Sequence, residues 1–399
     1  MKPGFLRNAI VLGLMAAVGP FAIDMYLPAM PTIAAGLDTT AAATQMTLMV
    51  FFLSFGACQI FYGPASDMFG RKPPLYFGLI VFALGGVGCA LAPTIEWLIF
   101  FRFVQGAGAA AVMVIPRAII RDLHTGPEAT QLMALIMLVF SVSPLLAPLL
   151  GSVLIGPFGW RAVFVAVTVV AGLAFFLVLF LQPETRPPAQ RVKVSVGALL
   201  EGFGVLLRDA QFLGLTFVGG LSMSSFFAFL AGSSFVYIEH FGLTPTGYSV
   251  AFAINAVGFI GASQFAAKLG MRFGMTRVVT AATLMYMLLS VALFATIAAG
   301  VDSLAVMMAL IFAAFAFMGL VIPTTMVLAL EEHGPIAGMA SALGGTLQMM
   351  TGAIVIVAVS VFSDNTPLPM VSAIALCAVG AYILAYFTLG RRRAAQPAE

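Results

Sequence analysis

Arg161-Ala-Val-Phe-Val-Ala-Val-Thr-Val-Val-Ala-Gly-Leu-Ala-Phe-Phe-Leu-Val-Leu-Phe-Leu181 carries no charge after its first residue, and Thr168 is its only other polar side chain. As a helix rising 1.5 Å per residue it covers about 30 Å, the thickness of a bilayer's hydrocarbon core. In lipid every backbone N–H and C=O must be satisfied internally, so a run of this kind is read as a spanning helix. The rest of the chain has the same character. Of 399 residues, 62% are hydrophobic and 8% are charged, whereas a soluble domain carries about 25% charged residues. So little charge cannot cover a water-facing surface. The composition excludes a soluble enzyme, a disordered scaffold and a nucleic-acid binder with a basic face. Cys58, Cys89 and Cys377 each lie in an apolar run and are odd in number, which does not fit a secreted disulfide framework. Lys2 and Arg7 precede an apolar run too long for a signal-peptide core.

Cutting the chain at charged or Pro/Gly-rich breaks gives twelve spans, near 8–34, 43–63, 73–92, 97–119, 128–154, 161–181, 210–238, 246–267, 277–299, 303–328, 335–361 and 368–389. The fold class expected is an all-α membrane protein. Of the 18 Lys and Arg residues, all but Arg102 and Arg161 fall at the termini or in even-numbered connections, so both termini are expected on the cytoplasmic side. The longest connection is polar and begins with Pro183, Pro187 and Pro188. It divides the chain into an amino-terminal six-helix bundle (1–182), a cytoplasmic linker (183–209) and a carboxy-terminal six-helix bundle (210–399). A weak repeat supports the division: Gly63-Pro-Ala-Ser-Asp-Met-Phe-Gly70-Arg-Lys is echoed by Ala267-Lys-Leu-Gly-Met-Arg-Phe-Gly274. Paired halves are a common transporter design, with the substrate site near the membrane midplane.

Asp24 stands out among the 15 acidic residues, being the one that falls well within a span. An ionised carboxylate at the centre of the hydrocarbon region costs about 2.5–3.5 kcal/mol on insertion scales, so such a group faces a cavity, finds a partner or binds a proton. Desolvation favours the neutral form of a carboxyl group and a nearby cation the ionised form, so an arriving proton or substrate shifts the balance. The competing reading is an interfacial cap at the outer end of span one, where Pro28 and Pro31 interrupt the helix. Arg102 is the natural partner. It lies about 7–8 Å inside the boundary marked by Trp97, and Asp24 lies roughly 10 Å before Pro31, which puts both at similar depth in the outer half. Snorkelling to the interface is the alternative for Arg102. Pro144 and Pro148 each remove a backbone donor from span five, and Ser143, Ala147 and Gly151 form a small-residue face along it. Gly63 and Gly70 suit tight turns flanking Asp67 and Arg71. A substrate pocket is expected to be apolar with few polar anchors. Its candidates are Met25 and Tyr26 in span one, Phe226, Phe227, Phe229 and Tyr237 in span seven, Asn255 in span eight, and Gln348, Met349 and Met350 in span eleven. With 36 Phe and 23 Met in the chain, the polar Asn255 and Gln348 are the more informative, and each fits substrate contact and helix–helix hydrogen bonding equally well. No cofactor and no metal site are expected. The chain has no G-x-x-x-x-G-K-[ST] loop, no G-x-S-x-G elbow and no metal-ligand spacing among His124, His240 and His333.

Four motifs in order carry a resemblance. Gly63-Pro64-Ala65-Ser66-Asp67-Met68-Phe69-Gly70-Arg71-Lys72 resembles the G-x-L-x-D-x-x-G-R-[RK] loop signature of the major facilitator superfamily. Asp24-Met25-Tyr26-Leu27-Pro28-Ala29-Met30-Pro31 is similar to the D-x-Y-L-P-x-x-P signature of its Bcr/CflA-type drug–proton antiporters. Arg102-Phe103-Val104-Gln105-Gly106 resembles the span-four R-x-x-Q-G motif, and Ser143-Pro144-Leu145-Leu146-Ala147-Pro148-Leu149-Leu150-Gly151-Ser152 the span-five antiporter motif, with Ser and Ala in place of glycines. The resemblance implies a major facilitator fold and alternating access in a bacterial inner (plasma) membrane, usually as a monomer. It implies proton coupling through Asp24 and Arg102 with Gln105 in support, and a conformational latch in which Asp67 meets the amino-terminal end of span eleven and Arg71 pairs with Asp122. It also implies a proton seal at Pro144, Ala147, Pro148 and Gly151. Topology anchoring by Arg71 and Lys72 fits the same loop. A second acid found two turns earlier in some members is here Ala16, which disfavours export of dications.

The expected function is proton-coupled export of small lipophilic drugs or antibiotics, phenicol-like and neutral or monocationic. The partners are that substrate, protons and the lipid bilayer, with no nucleic acid. Proton-linked export of a small metabolite such as an amino acid or peptide is the nearest alternative. A non-transporting receptor would need a signalling domain that the short cytoplasmic termini do not supply.

Overall fold

The computed structural model describes residues 3–123, 126–191, 196–364 and 366–395. Of the residues read above, Lys2, His124 and Lys193 lie outside them. Span one is broken: α1 (Pro3–Asp24) is followed by a 3₁₀ turn (Leu27–Ala29) and α2 (Met30–Gly36). Then come α3 (Ala41–Phe69), α4 (Lys72–Leu91), α5 (Ile95–Leu123), α6 (Gly126–Phe158) and α7 (Arg161–Leu181). After the connection come α8 (Val196–Arg208), α9 (Ala210–Phe235), α10 (Pro245–Ser263), α11 (Ala266–Phe273), α12 (Met275–Ala298), α13 (Leu304–Leu330), α14 (Ala337–Val361) and α15 (Pro367–Ala395). Among the described residues, 12 helical segments are long and apolar enough to cross a membrane. Local chemistry sets their starts. Thr40 Oγ1 accepts from the Ala43 N–H at 3.1 Å to cap α3, and Thr244 caps α10 in the same way. Gly70 and Gly274, with φ of 94° and 84°, end α3 and α11, conformations that favour glycine.

The chain forms two compact units, Met1–Ser195 and Val196–Glu399. The segment expected to be a polar linker over 183–209 therefore divides between them, and its second part is helix α8. Thirteen residues are too few to span a bilayer. They fold because α8 packs against α9 and α14, with Leu206 fully buried and Gly202 against Met339. Each unit is packed by the same rule. In the first, α3 and α4 lie along α5, α4 packs on α7, and α1 touches α5, α6 and α7. In the second, α10 and α12 lie along α13, α12 packs on α15, and α9 touches α13, α14 and α15. That correspondence, helix for helix, is the structural counterpart of the loop echo in the sequence. Large apolar side chains such as Phe77, Leu84, Phe180, Ile354 and Leu376 stand exposed on the surface, as lipid contact requires. In the second unit α9 and α13 are tied at opposite ends. Asp209 Oδ2 lies 2.8 Å from His333 Nε2 at one, and His240 Nε2 lies 2.8 Å from Asp302 Oδ1 at the other.

Candidate functional site

The break in span one positions the first group of candidates. Proline has no N–H, so Pro28 and Pro31 cannot donate to the carbonyls four residues back, and the helix stops at Asp24 and resumes at Met30. The Ala22 carbonyl, which Tyr26 N–H takes in an unbroken helix, accepts instead from Arg102 Nη1 at 3.2 Å. Helix α6 crosses this break closely. A Cβ on Gly151 would lie 2.3 Å from the Met25 carbonyl oxygen, Ala147 is fully buried, and Ser143 Oγ donates to Asp24 Oδ2 at 3.0 Å. The small-residue face thus does two jobs, letting the backbone approach and hydrogen-bonding the carboxylate. Pro144 and Pro148 lie inside α6, which continues through both. Tyr26 Oη is 2.5 Å from Thr47 Oγ1.

Arg102 is 0% exposed and Asp24 5%. The guanidinium does not snorkel. Its Nη1 also donates to Gln105 Oε1 at 2.8 Å, and its Cζ lies 4.3 Å from the Phe51 ring centre and 4.7 Å from that of Tyr26, within cation–π range. No ion pair joins it to Asp24. Among the described residues, Nε and Nη2 of Arg102 and Nε2 of Gln105 have no hydrogen-bond partner. Gly106 makes this cluster possible: a Cβ there would sit 2.4 Å from the Phe51 carbonyl oxygen and 2.3 Å from Ser54 Oγ, so α5 can press against α3 and carry Arg102 to the Phe51 ring. Sequence reasoning found Asp24, Tyr26, Arg102 and Gln105 but gave no particular role to Phe51, Thr47 or the hydroxyl of Ser143. Phe51 carried no signal among 36 phenylalanines.

In the loop signature, Arg71 is nearly buried and fully engaged. Its Nε donates to Asp122 Oδ2 at 2.7 Å and Nη2 to Asp122 Oδ1 at 3.2 Å, while Nη1 donates to Asp67 Oδ1 at 2.7 Å and Ser66 Oγ at 2.8 Å. Burial works against its charge, but the two carboxylates outweigh that and hold its pKa above the ordinary value. The turn expected at Gly63 is corrected. Gly63 lies inside α3, which continues through Pro64 to Phe69, and its carbonyl accepts from Ser66 Oγ. Only Gly70 makes the turn.

In the second unit Asn255 Nδ2 donates to Tyr237 Oη at 3.2 Å, and both side chains are fully buried. Asn255 Oδ1 has no hydrogen-bond partner among the described residues. Phe226 stacks on Phe259 at 6.0 Å and lies edge-on to Phe315 at 6.0 Å, and Phe229 lies edge-on to Phe315 at 5.3 Å. Phe227 fills a notch in α14, where a Cβ on Gly352 would lie 1.8 Å from its ring, so its position is one of helix packing. Gln348 is half-buried along Gly219 and Gly220 of α9. Met349 is half-buried and Met350 exposed.

A family model described as the Major Facilitator Superfamily matches residues 12–356. The chain belongs to that superfamily. It is 34% identical to an uncharacterized MFS-type transporter, YdgK, of Bacillus subtilis, over 98% of this chain and 97% of the relative. It is 32% identical to a bicyclomycin resistance protein homolog of Haemophilus influenzae, over 96% of each chain. Among solved structures it resembles a D-xylose–proton symporter with a TM-score of 0.72 and 17% identity, over 95% of this chain and 96% of that one, a likeness of fold. These superfamily relatives accord with the Bcr/CflA-type signature in span one. Family and fold point to a transporter rather than an enzyme, and twelve apolar helices with bacterial relatives indicate a multi-pass inner-membrane protein.

Proposed function

We propose that this major facilitator protein exports small lipophilic compounds, antibiotics among them, in exchange for protons. The substrates are neutral or singly charged and phenicol-like. The observation that carries the reading is Asp24, a buried carboxyl group at a helix break that accepts from one hydroxyl and, among the described residues, has no cation paired with it. Such a group can hold a proton without breaking an ion pair, and can give it up when water or substrate reaches it. Relatives named a chloramphenicol resistance protein of Pseudomonas aeruginosa, 31% identical over 65% of this chain, and multidrug resistance protein D of Escherichia coli, 31% identical over 66%, support the substrate class.

In this reading Asp24 takes up a proton from the outer side and releases it inward. Arg102 and Gln105 bias that exchange through the carbonyl of Ala22 and through donors that have no other partner. Asp67, Arg71 and Asp122 hold the cytoplasmic end of the amino-terminal bundle as a latch, the α6 face at Ser143, Ala147 and Gly151 seals against proton leak, and Asn255, Gln348 and the span-seven aromatics contact substrate. Both termini are cytoplasmic, the chain works as two six-helix bundles joined by the linker, and the unit is a monomer. Because residue 16 is alanine, a single membrane carboxylate serves the exchange, which favours neutral and monocationic substrates over dications.

The test is an antibiotic panel on cells with and without the protein, and with and without a collapsed pH gradient. Protection by the wild type should vanish with the gradient, and Asp24→Asn at equal expression should lose it and show no substrate-induced proton release. An Asp24→Asn protein that still protects and still releases protons overturns the coupling scheme. Selective movement of one amino acid or peptide would point to a metabolite exporter.

A further inference from the structure

Glu184 belongs to the connection that follows span six, a segment expected only to join two bundles. Its carboxylate reaches back more than a hundred residues. Oε1 accepts from the N–H of Arg71 at 2.9 Å and of Arg186 at 2.9 Å, and Oε2 accepts from the N–H of Lys72 at 3.0 Å. The Arg71 and Lys72 amides open α4, whose second and third residues are Pro73 and Pro74. Prolines have no N–H, so the usual set of orphan donors at a helix start is reduced here, and Arg71 supplies no side-chain cap of its own. An acceptor borne by a distant segment therefore caps the helix, with its negative charge at the positive end of the dipole.

The neighbouring residues make the same connection. Thr185 Oγ1 donates to Asp122 Oδ2 at 3.0 Å, and Arg186 Nη1 lies 3.3 Å from Asp67 Oδ1. Three consecutive residues thus meet the three parts of the loop network: the start of α4, the end of α5 and the acid of the loop. Gly70 gains a second constraint. Besides its positive φ, a Cβ there would lie 2.8 Å from Glu184 Oε2 and 3.1 Å from Arg191 Nη2, so the carboxylate occupies the space that a side chain would need.

We propose that Glu184 is a positioning residue for Arg71. By fixing the backbone of residues 71 and 72 it aims the guanidinium at Asp122 and Asp67, and so couples the linker to the loop that sets the cytoplasmic gate. The coupling rests on the transport function proposed above; the cap does not.

Hydrogen–deuterium exchange on purified Glu184→Ala, Glu184→Gln and wild-type protein tests the cap. The Arg71 and Lys72 amides should exchange at least tenfold faster in Glu184→Ala, and by an intermediate amount in Glu184→Gln, which keeps one carbonyl acceptor. Unchanged exchange at those amides overturns the proposal, whatever transport does. Efflux in proteoliposomes with a pH gradient tests the positioning. Glu184→Ala should lower the maximal rate about tenfold with little change in KM, Glu184→Gln should restore part of it, and Glu184→Ala in an Arg71→Ala background should cost nothing further. Additive losses overturn the claim that Glu184 acts through Arg71. If the wild-type protein moves none of the panel, the transport reading fails while the exchange result still decides the cap.

Discussion

The two halves can be laid in register at a pair of glycines. Gly106 in α5 presses on the Phe51 carbonyl of α3, and Gly319 in α13 presses on the Phe259 carbonyl of α10, each with no room for a methyl group. Four residues before each glycine the halves part company. The first has Arg102, held by Ala22, Gln105 and the rings of Phe51 and Tyr26. The second has Phe315, fully buried against Phe226 and Phe229. One backbone crossing is therefore filled once by an ion and once by hydrocarbon. Packing does not require a charge at this place, which supports the proposal that the guanidinium in the first half serves proton exchange. A buried cation without an ion pair is costly, and apolar replacements for buried charges are often neutral or stabilising.

Substitutions that exchange the two solutions press hardest on this comparison. Phe315→Arg places a cation in an aromatic cluster with no acceptor built for it, at a cost of about 3–5 kcal/mol by analogy with stranded buried charges, and should yield little monodisperse protein in detergent. Arg102→Met makes the reverse exchange. Proton-coupled efflux in proteoliposomes should fall about a hundredfold, which is roughly 2.7 kcal/mol, while the thermal midpoint stays level or rises. A large drop in that midpoint would make Arg102 a structural residue and break the comparison. Gly106→Ala and Gly319→Ala test the shared crossing. Each forces overpacking worth about 1–3 kcal/mol, and matched losses in thermal stability sharpen the equivalence where a twofold disparity would dissolve it. The smallest effect belongs to the second half alone. Asp209 caps α9 through the N–H groups of Gln211 and Phe212 and pairs with His333. Burial opposes its charge, but these contacts hold its pKa below the ordinary 3.8. A depressed carboxylate stabilises above its unfolded value and loses that contribution as pH falls through the folded one. Asp209→Ala should cost about 1 kcal/mol at neutral pH, and its gap from wild type in thermal unfolding should narrow below pH 3.8.

The spans were legible because hydrocarbon thickness sets a length that apolar runs such as 161–181 either meet or miss. The break in span one was legible too, since Pro28 and Pro31 act on their own helix. What lay hidden was whatever depends on distant partners. Ser143 looks like any small residue on a packing face, and nothing local says that its hydroxyl meets Asp24 from another helix. Phe51 is one aromatic among many until Gly106 brings α5 against it. Helix α8 is hidden because its thirteen residues fall short of a bilayer-length run, and packing of Leu206 with α9 and α14 is what holds it. The turn expected at Gly63 fails for the opposite reason: glycine permits a turn without requiring one, and the helical context of α3 overrides it.

The paired ties between α9 and α13 bear on how the chain is assembled. Asp209 and His240 flank α9, whereas their partners His333 and Asp302 flank a helix made three spans later. As the ribosome delivers segments in order, α9 enters the bilayer with both ends unfastened and stays so until α13 arrives. A chain cut short before residue 302 keeps the seventh span and neither fastening.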